Sequence, residues 1–457
     1  MHHIDVLRRT YEGRSWIVAS EVLAGAAPHL AALARVGVGA DDVVVIAGGR
    51  GTGPAPVGVR TVALGLPVGD LMAVLHAFDD ALGDVPADSL AELDAFDPDR
   101  RAAVIAPLFT QRSTAAGRRV WGARPASWRA LEDKTVVDEV WRAAGVPQAP
   151  AVVVAADPRS LRSAARAMDV GSGTVWVADN RRGWHGGATG LRWVRDDEQV
   201  DAATAFMTAR ADQVRVMPFL DGVPCSIHGI VLPAGTLALR PCEMVVLRRT
   251  GRSELCYAGM ASMWDPPADD RDLLRAHARR VGDHLRAAVG YRGAFSIDGV
   301  MTVDGFRPTE LNPRFGAALG LLAAAADIPL YLLHLAVVEG VAADWRGAEL
   351  EQRIVTAADA AREIRCHVAV DRPVGDRTIG LRRDGGDLRR TDDPDADIAV
   401  HCGPGVTGGF VRLSISQGVV PTGSTVAPLV ANVLAWVDAH LDLGLGALEA
   451  PPDVRRA

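Results

Sequence analysis

Lysine is almost absent from this chain. Of the 49 Lys and Arg residues only Lys134 is lysine, and every other one is arginine. Where charge alone matters, a compositional bias can replace lysine freely. The lone survivor is either chance or the mark of a place where a compact ammonium on a flexible stem is needed and a planar fork will not fit, and the local sequence favours the second. Contact with nucleotide phosphate oxygens is such a place. Cysteine is scarce too. The five (Cys225, Cys242, Cys256, Cys366 and Cys402) are odd in number and lack metal-type spacing, which fits a reducing cytoplasm. Cys366-His367 and His401-Cys402 could meet as a zinc site, but chance adjacency is the better reading. Net charge is −7 with no basic stripe, which argues against nucleic-acid binding. Long uncharged apolar runs are missing as well. The longest apolar stretch, residues 315–341, contains Asp327, Pro329 and His334, so it reads as buried helices rather than a membrane span. The opening residues, Met1-His-His-Ile-Asp-Val, lack the charged and apolar regions of a signal peptide. A cytoplasmic enzyme with no membrane partner is expected.

What is present is most informative at residues 293–316, GAFSIDGVMTVDGFRPTELNPRFG. β-prone runs at 294–298 and 299–303 are followed by Asp304-Gly305, a strong hairpin-turn signal, and the next run ends at Glu310, Asn312 and Arg314. This places Asp298 on one strand, with Glu310 and Asn312 on its neighbour, close enough to share an ion. Residues two apart on a strand face the same way, so Glu310, Asn312 and Arg314 project together. Hard carboxylates, an amide oxygen and a guanidinium on one face suit Mg2+ bridged to phosphates. The plain alternative is a surface hairpin with solvated polar ends.

Lys134 lies in the segment from Trp128 to Pro147, where Leu131, Val136, Val137, Val140 and Trp141 follow helical spacing. Gly145 followed by Pro147 closes the predicted helix. Lys134 falls near its start, where backbone amides and the helix dipole also favour anions.

Together with the ELNPR tail, this chain resembles the ATP-grasp superfamily. In that family a D-K pair opens a helix ending in a G-x-P turn, then come a glycine-rich loop, an adenine-binding hinge and a final E-x-N-x-R strand. All four parts occur here in order across about residues 126–320. Flanking segments, including Val120-Trp-Gly and residues 244–266, look like the peptide ligases of the pheganomycin type.

The 457 residues should hold about three domain-sized units. Residues 1–125 alternate short apolar runs (15–20, 43–47, 102–106) with helical patterns such as 70–82, which predicts an α/β unit with a parallel sheet. The run 43–47 is followed by Gly-Gly-Arg-Gly-Thr-Gly53, but the spacing is not G-x-G-x-x-G and Pro54-Ala-Pro56 follows, so an ordinary loop is expected. By resemblance this unit is the domain that precedes the nucleotide-binding core. Residues 126–345 are the expected ATP-grasp core. Residues 346–457 are an expected C-terminal α+β extension ending in an amphipathic helix after Ser424. The fold class is α/β (α+β).

The remaining site residues follow from the same resemblance. The stretch Arg181-Arg-Gly-Trp-His-Gly-Gly-Ala-Thr-Gly190 is glycine-rich and flanked by short strands, so its amides can close over phosphates. Arg181, His185, Gly186 and Gly187 are its candidate contacts. The strand before it, Val175-Trp-Val-Ala178, lacks the second lysine that relatives carry there, leaving Arg181, Arg182 or His185 to supply that charge. Phe219 and Leu220 match the hinge, with Asp221 in place of the usual ribose-binding glutamate. Among Arg240, Arg248, Arg249 and Arg292, the expected carboxylate contacts are Arg240 and Arg292, and the expected catalytic cations are Arg314, Lys134 and Arg292. The resemblance implies ATP and Mg2+ as cofactors, with Asp298, Glu310 and Asn312 as metal ligands, and a homodimer as the default assembly. It also implies ligation of a small-molecule carboxylate to an amine through an acyl phosphate, in specialised metabolism. The alternatives are a non-amine acceptor, phosphoryl transfer only, or nucleotide binding without catalysis.

Overall fold

The computed structural model describes residues 2–67, 69–405 and 407–455, and its β-strands form three main sheets. The first is parallel, in the order Arg60–Ala63, Val43–Gly49, Trp16–Val22, Ala103–Ile105. Its central strands are buried on both faces, as the continuous apolar runs require. Helix Leu71–Gly83 is capped by Asp70, whose carboxylate accepts from the Met72 and Ala73 amides. No helix follows Val43–Gly49 until Leu71, so the glycine-rich segment there is a loop.

The second sheet is antiparallel, in the order Val152–Ala155, Gln213–Pro218, Thr174–Ala178, Leu191–Val194. The third carries the hairpin. Its path begins Gly305–Asn312, Gly293–Thr302, Val223–Leu232, Cys242–Arg249, Leu255–Ala261 and continues through Ile364–Val370, Gly408–Ile415, Ile398–Gly405, Arg377–Asp384 and Asp387–Thr391. Backbone pairing therefore runs unbroken across residue 345, from Leu255–Ala261 to Ile364–Val370. Strand Gly408–Ile415 lies between the two His-Cys pairs, which sets them one strand apart and rules out the zinc idea on geometry.

The apolar stretch 315–341 folds as two helices, Ala317–Ala326 and Leu330–Glu339, bent by 116° where Asp327 adopts a left-handed conformation. They form one core with the N-terminal unit. Tyr11 donates to the Leu332 carbonyl at 2.7 Å, and the Trp121 indole donates to the Tyr11 hydroxyl at 3.2 Å. No single helix among the described residues is long and apolar enough to cross a membrane.

Two features of the third sheet are open to test. Gly259 pairs with Cys366 at φ +127°, and a Cβ there would lie 2.1 Å from the Arg365 carbonyl oxygen. Gly259→Ala is expected to cost on the order of 3 kcal/mol, read as a lowered Tm; an unchanged melt would mean these strands part freely. Glu243 accepts from the Val426 and Ala427 amides at 2.6 and 3.0 Å, and burial pushes its pKa from 4.5 up to about 7. The folded chain holds this proton more tightly than the unfolded one. The group's contribution to stability is therefore complete below pH 4.5 and lost as pH rises to about 7. Glu243→Gln should accordingly gain Tm relative to wild type on going from acid to about pH 8, measured by calorimetry at each pH.

Candidate active site

The hairpin forms as Gly293–Thr302 and Gly305–Asn312, turning at Val303 and Asp304. Its register sets Asp298 opposite Glu310 and Ser296 opposite Asn312. A bulge follows, because Gly299 pairs with Pro308 and Thr309 is left over; the Thr309 hydroxyl donates to the Asp298 carbonyl at 3.2 Å. Such bulges re-aim side chains near sites. Here Asp298, Thr309, Glu310, Asn312 and Arg314 all line one cavity of about 390 Å3 between the second and third sheets.

Inside this cavity the polar groups are linked. Ser226 Oγ donates to Asp298 Oδ1 at 2.5 Å, and Asn312 Nδ2 donates to Asp298 Oδ2 at 2.9 Å. Lys134 Nζ lies 3.0 Å from Glu310 Oε1. Arg314 Nη2 donates to Asn312 Oδ1 at 2.9 Å, and its Nε is 3.3 Å from Glu132. Burial pushes the Asp298 carboxyl up to about 6, with the Glu310 charge adding to the rise and the Ser226 hydrogen bond opposing it. Asp298 and Glu310 are the hard oxygen donors that could hold a divalent cation. No group of three or more His, Cys, Asp and Glu suited to a metal occurs among the described residues, so the third ligand would be an amide. As oriented, Asn312 gives its nitrogen to Asp298 and its oxygen to Arg314. That oxygen has two lone pairs, so with Arg314 on one of them the other is left for an ion.

Lys134 reaches the cavity by a different local structure from the one expected. The predicted continuous helix is interrupted: Ala126–Arg129 and a 3-10 turn, Ala130–Glu132, come first, and Val137–Ala143 follows. Asp133 causes the break. Its Oδ1 accepts from the Thr135 amide and hydroxyl at 2.9 and 2.6 Å, an Asx turn that competes with helical bonding. Its Oδ2 accepts from the Asn180 amide at 3.1 Å, tying this turn to the glycine-rich loop.

That loop borders the cavity from His185 to Leu191. Gly187 has φ +58° and Ala188 φ +64°, a left-handed pair that turns the backbone inward. Gly190 faces His185 so closely that an added Cβ would fall 2.5 Å from the ring. His185 donates through Nε2 to the Asp179 carbonyl at 3.0 Å. Burial, then the Lys134 ammonium, lowers its proton affinity below the usual 6.5, so it is neutral at pH 7. Outside the cavity the loop rests on the N-terminal unit, with Trp184 stacked on Phe109 at 5.4 Å.

Other expected residues fall elsewhere. Arg181 is not a cavity cation: it is half exposed, bonded to Gln213 at 3.0 Å and near Asp179. Arg182 is likewise held by Asp212 at 2.8 Å. Phe219 and Leu220 line the cavity as expected. Asp221 does not. It pairs with Arg248 at 2.6 Å beside a neighbouring pocket, where Phe219 stacks on Trp193 with centroids 4.0 Å apart. Arg240 is fully buried and bound to Asp265, Asp359 and the Trp264 carbonyl, and Arg292 donates to the Val338 carbonyl at 2.8 Å. Neither lines the cavity, so neither substrate assignment stands on this geometry. The resemblance implies carboxylate contacts in this stretch of chain, but both guanidinium groups are bound elsewhere.

Two groups of lining residues escaped the sequence reading. His228, Met244, Tyr257, Met260 and Ala317 line the same cavity as Arg314. Arg215 lines the cavity from strand Gln213–Pro218, fully buried. Its signal was available: one arginine inside Val214-Arg-Val-Met217, an otherwise apolar run.

No family model matches this sequence, and no curated protein is similar to it. Solved structures are similar in shape. The biotin carboxylase domain dimer of 2-oxoglutarate carboxylase from Hydrogenobacter thermophilus, in complex with MgADP, ADP and bicarbonate, superposes with TM-score 0.57 at 11% identity, over 88% of this chain and 86% of that one. The chain has the ATP-grasp fold. The N5-carboxyaminoimidazole synthase of Aspergillus clavatus, in complex with ADP and its aminoimidazole ribonucleotide, gives TM-score 0.52 at 11% identity, covering 94% and 97%. An L-amino acid ligase from Bacillus licheniformis gives 0.50 at 12%, covering 96% and 98%. The ATP-grasp architecture thus spans nearly the whole chain, including the segment beyond residue 345.

Asp133→Ala tests the link between the lysine turn and the loop. It should cost roughly 1–2 kcal/mol through lost hydrogen bonds and speed proteolytic cutting within residues 181–190; an unchanged cutting rate would show that the loop is held without Asp133.

Proposed function

We propose that this protein is an ATP-dependent, ADP-forming carboxylate–amine ligase. The observation that carries this reading is one cavity with two chemically different ends. Main-chain groups and apolar side chains around Phe219 and Leu220 suit an adenine ring at one end. Asp298, Glu310, Arg314 and Lys134 converge at the other. The fold shared with proteins whose structures hold ADP, MgADP or an amino-acid ligase activity supports it. The donor set fits Mg2+, since two hard carboxylates in register face each other and one is buried without a full counter-charge. Asp298 and Glu310 would hold the ion, with Asn312 as third ligand, and the ion would supply charge neutralisation for the phosphates.

The residues of the chain then divide the work. Lys134 and Arg314 place fixed positive charge where negative charge develops as a carboxylate attacks the terminal phosphorus of ATP. The products of that step are an acyl phosphate and ADP. An amine next attacks the acyl carbon, its proton is lost, and inorganic phosphate leaves. The glycine-rich loop covers the phosphates and keeps water from the acyl phosphate. Tyr257, Met244, Met260 and Ala317 offer an apolar wall to the body of the acid, with Arg314 within the same space for its carboxylate. We place the role in peptide or amide formation of specialised metabolism. A second reading is nucleotide binding without catalysis, favoured by the absent strand lysine at Val175-Trp-Val-Ala178.

ADP and phosphate release in the presence of ATP, Mg2+ and pooled amino acids separates the two. Ligation predicts release that needs both an acid and an amine, and the binding module predicts none under any mixture. Glu310→Gln and Arg314→Ala should each lower ATP consumption by roughly a hundredfold without loss of fold; retained turnover in either would refute the assignment.

A further inference from the structure

The missing strand lysine leaves a question of charge that the structure bears on directly. Cavity-lining positions alternate along the second sheet: Val175 and Val177 on one strand, Arg215 and Met217 on the next. Arg215 is the direct register partner of Val177. Cross-strand partners have Cβ atoms about 4.5–5.5 Å apart on the same face. A long side chain at 215 therefore reaches the space that a side chain at 177 would fill.

The rest of the guanidinium's surroundings point the same way. Arg215 is fully buried and grips Asp138 with two parallel bonds, Nε to Oδ2 at 2.8 Å and Nη2 to Oδ1 at 2.7 Å. Asp138 stands on helix Val137–Ala143, one turn beyond Lys134, so the clamp fixes the guanidinium beside the lysine turn. The remaining nitrogen, Nη1, has only the Met217 thioether as partner, at 3.0 Å. A thioether is a weak acceptor, so this buried charged donor is under-used on a residue that lines the cavity. The three residues expected to supply the charge do not: Arg181 and Arg182 are bound outside the cavity, and His185 is kept neutral.

Building on the ligase reading, we propose that Arg215 is the second phosphate-binding cation of this protein, beside Lys134, carrying across one strand the charge that position 177 lacks, with Asp138 as its positioning residue. The Nη1 edge donates to a nucleotide phosphate oxygen while the opposite edge stays on Asp138. Anchoring the fork in this way fixes the direction of the free edge, a role a flexible lysine at 215 would not fill.

Isothermal titration with MgADP and, separately, with adenosine tests this on the full chain. In Arg215→Met/Asp138→Asn both charges go, so no unpaired charge stays buried. MgADP affinity should fall at least tenfold while adenosine affinity stays unchanged, which also reports an intact fold. Adding Val177→Lys to that double variant should restore MgADP affinity most of the way. Unchanged MgADP affinity in the double variant, equal losses for MgADP and adenosine, or no rescue by Val177→Lys would each overturn the proposal. Failure of the wild-type protein to bind MgADP at all would instead sink the ligase reading on which it rests.

Discussion

The register between Asp298 and Glu310 is the constraint on which the site depends. Two carboxylates held opposite each other on adjacent strands repel, and one of them is buried. The fold tolerates this only because other groups converge: Ser226 and Asn312 on Asp298, Lys134 on Glu310, Arg314 on Asn312. Ser226 and Lys134 come from other elements, so the hairpin dictates where strand Val223–Leu232 and the turn before helix Val137–Ala143 must lie. A one-residue slip would turn the carboxylates to the opposite face and dissolve the whole set. The leftover Thr309 pins the register at that point.

Around this hairpin the architecture separates rigid from adjustable parts. The third sheet continues by backbone pairing into the C-terminal segment, and the helices Ala317–Ala326 and Leu330–Glu339 share a core with the N-terminal unit. The acidic side of the cavity is thus built on the larger of the two sheets that flank it. The opposite side belongs to a smaller sheet and a glycine-rich loop with left-handed residues at 187 and 188. Precision sits where an ion and a reacting group would need it, and adaptability where a nucleotide would enter.

Much of this was legible in the sequence, and the failures share one cause. Asp304-Gly305 located the hairpin because turn chemistry is local, and the strands Thr174–Ala178 and Leu191–Val194 fell where their apolar runs placed them. The helix through Lys134 was misjudged because a single carboxylate, Asp133, competes for backbone amides that periodicity alone cannot show to be taken. The resemblance implies carboxylate contacts at Arg292 and Arg240, yet the first turns to the Val338 carbonyl and the second to the partly exposed Asp265 and Asp359. Arg215 was overlooked for the complementary reason. Its importance depends on being opposite Val177, a fact of sheet register and not of sequence distance.

The scarcity of lysine has a practical side. Apart from the α-amino group, the chain offers amine-selective chemistry one target, and that target is 7% exposed with its nitrogen 3.0 Å from a carboxylate. A reagent that modifies ammonium groups would therefore report on one address, slowly while the nitrogen is shielded and faster whenever its acidic neighbour lets go. The composition has left the protein with a built-in chemical gauge of its own cleft.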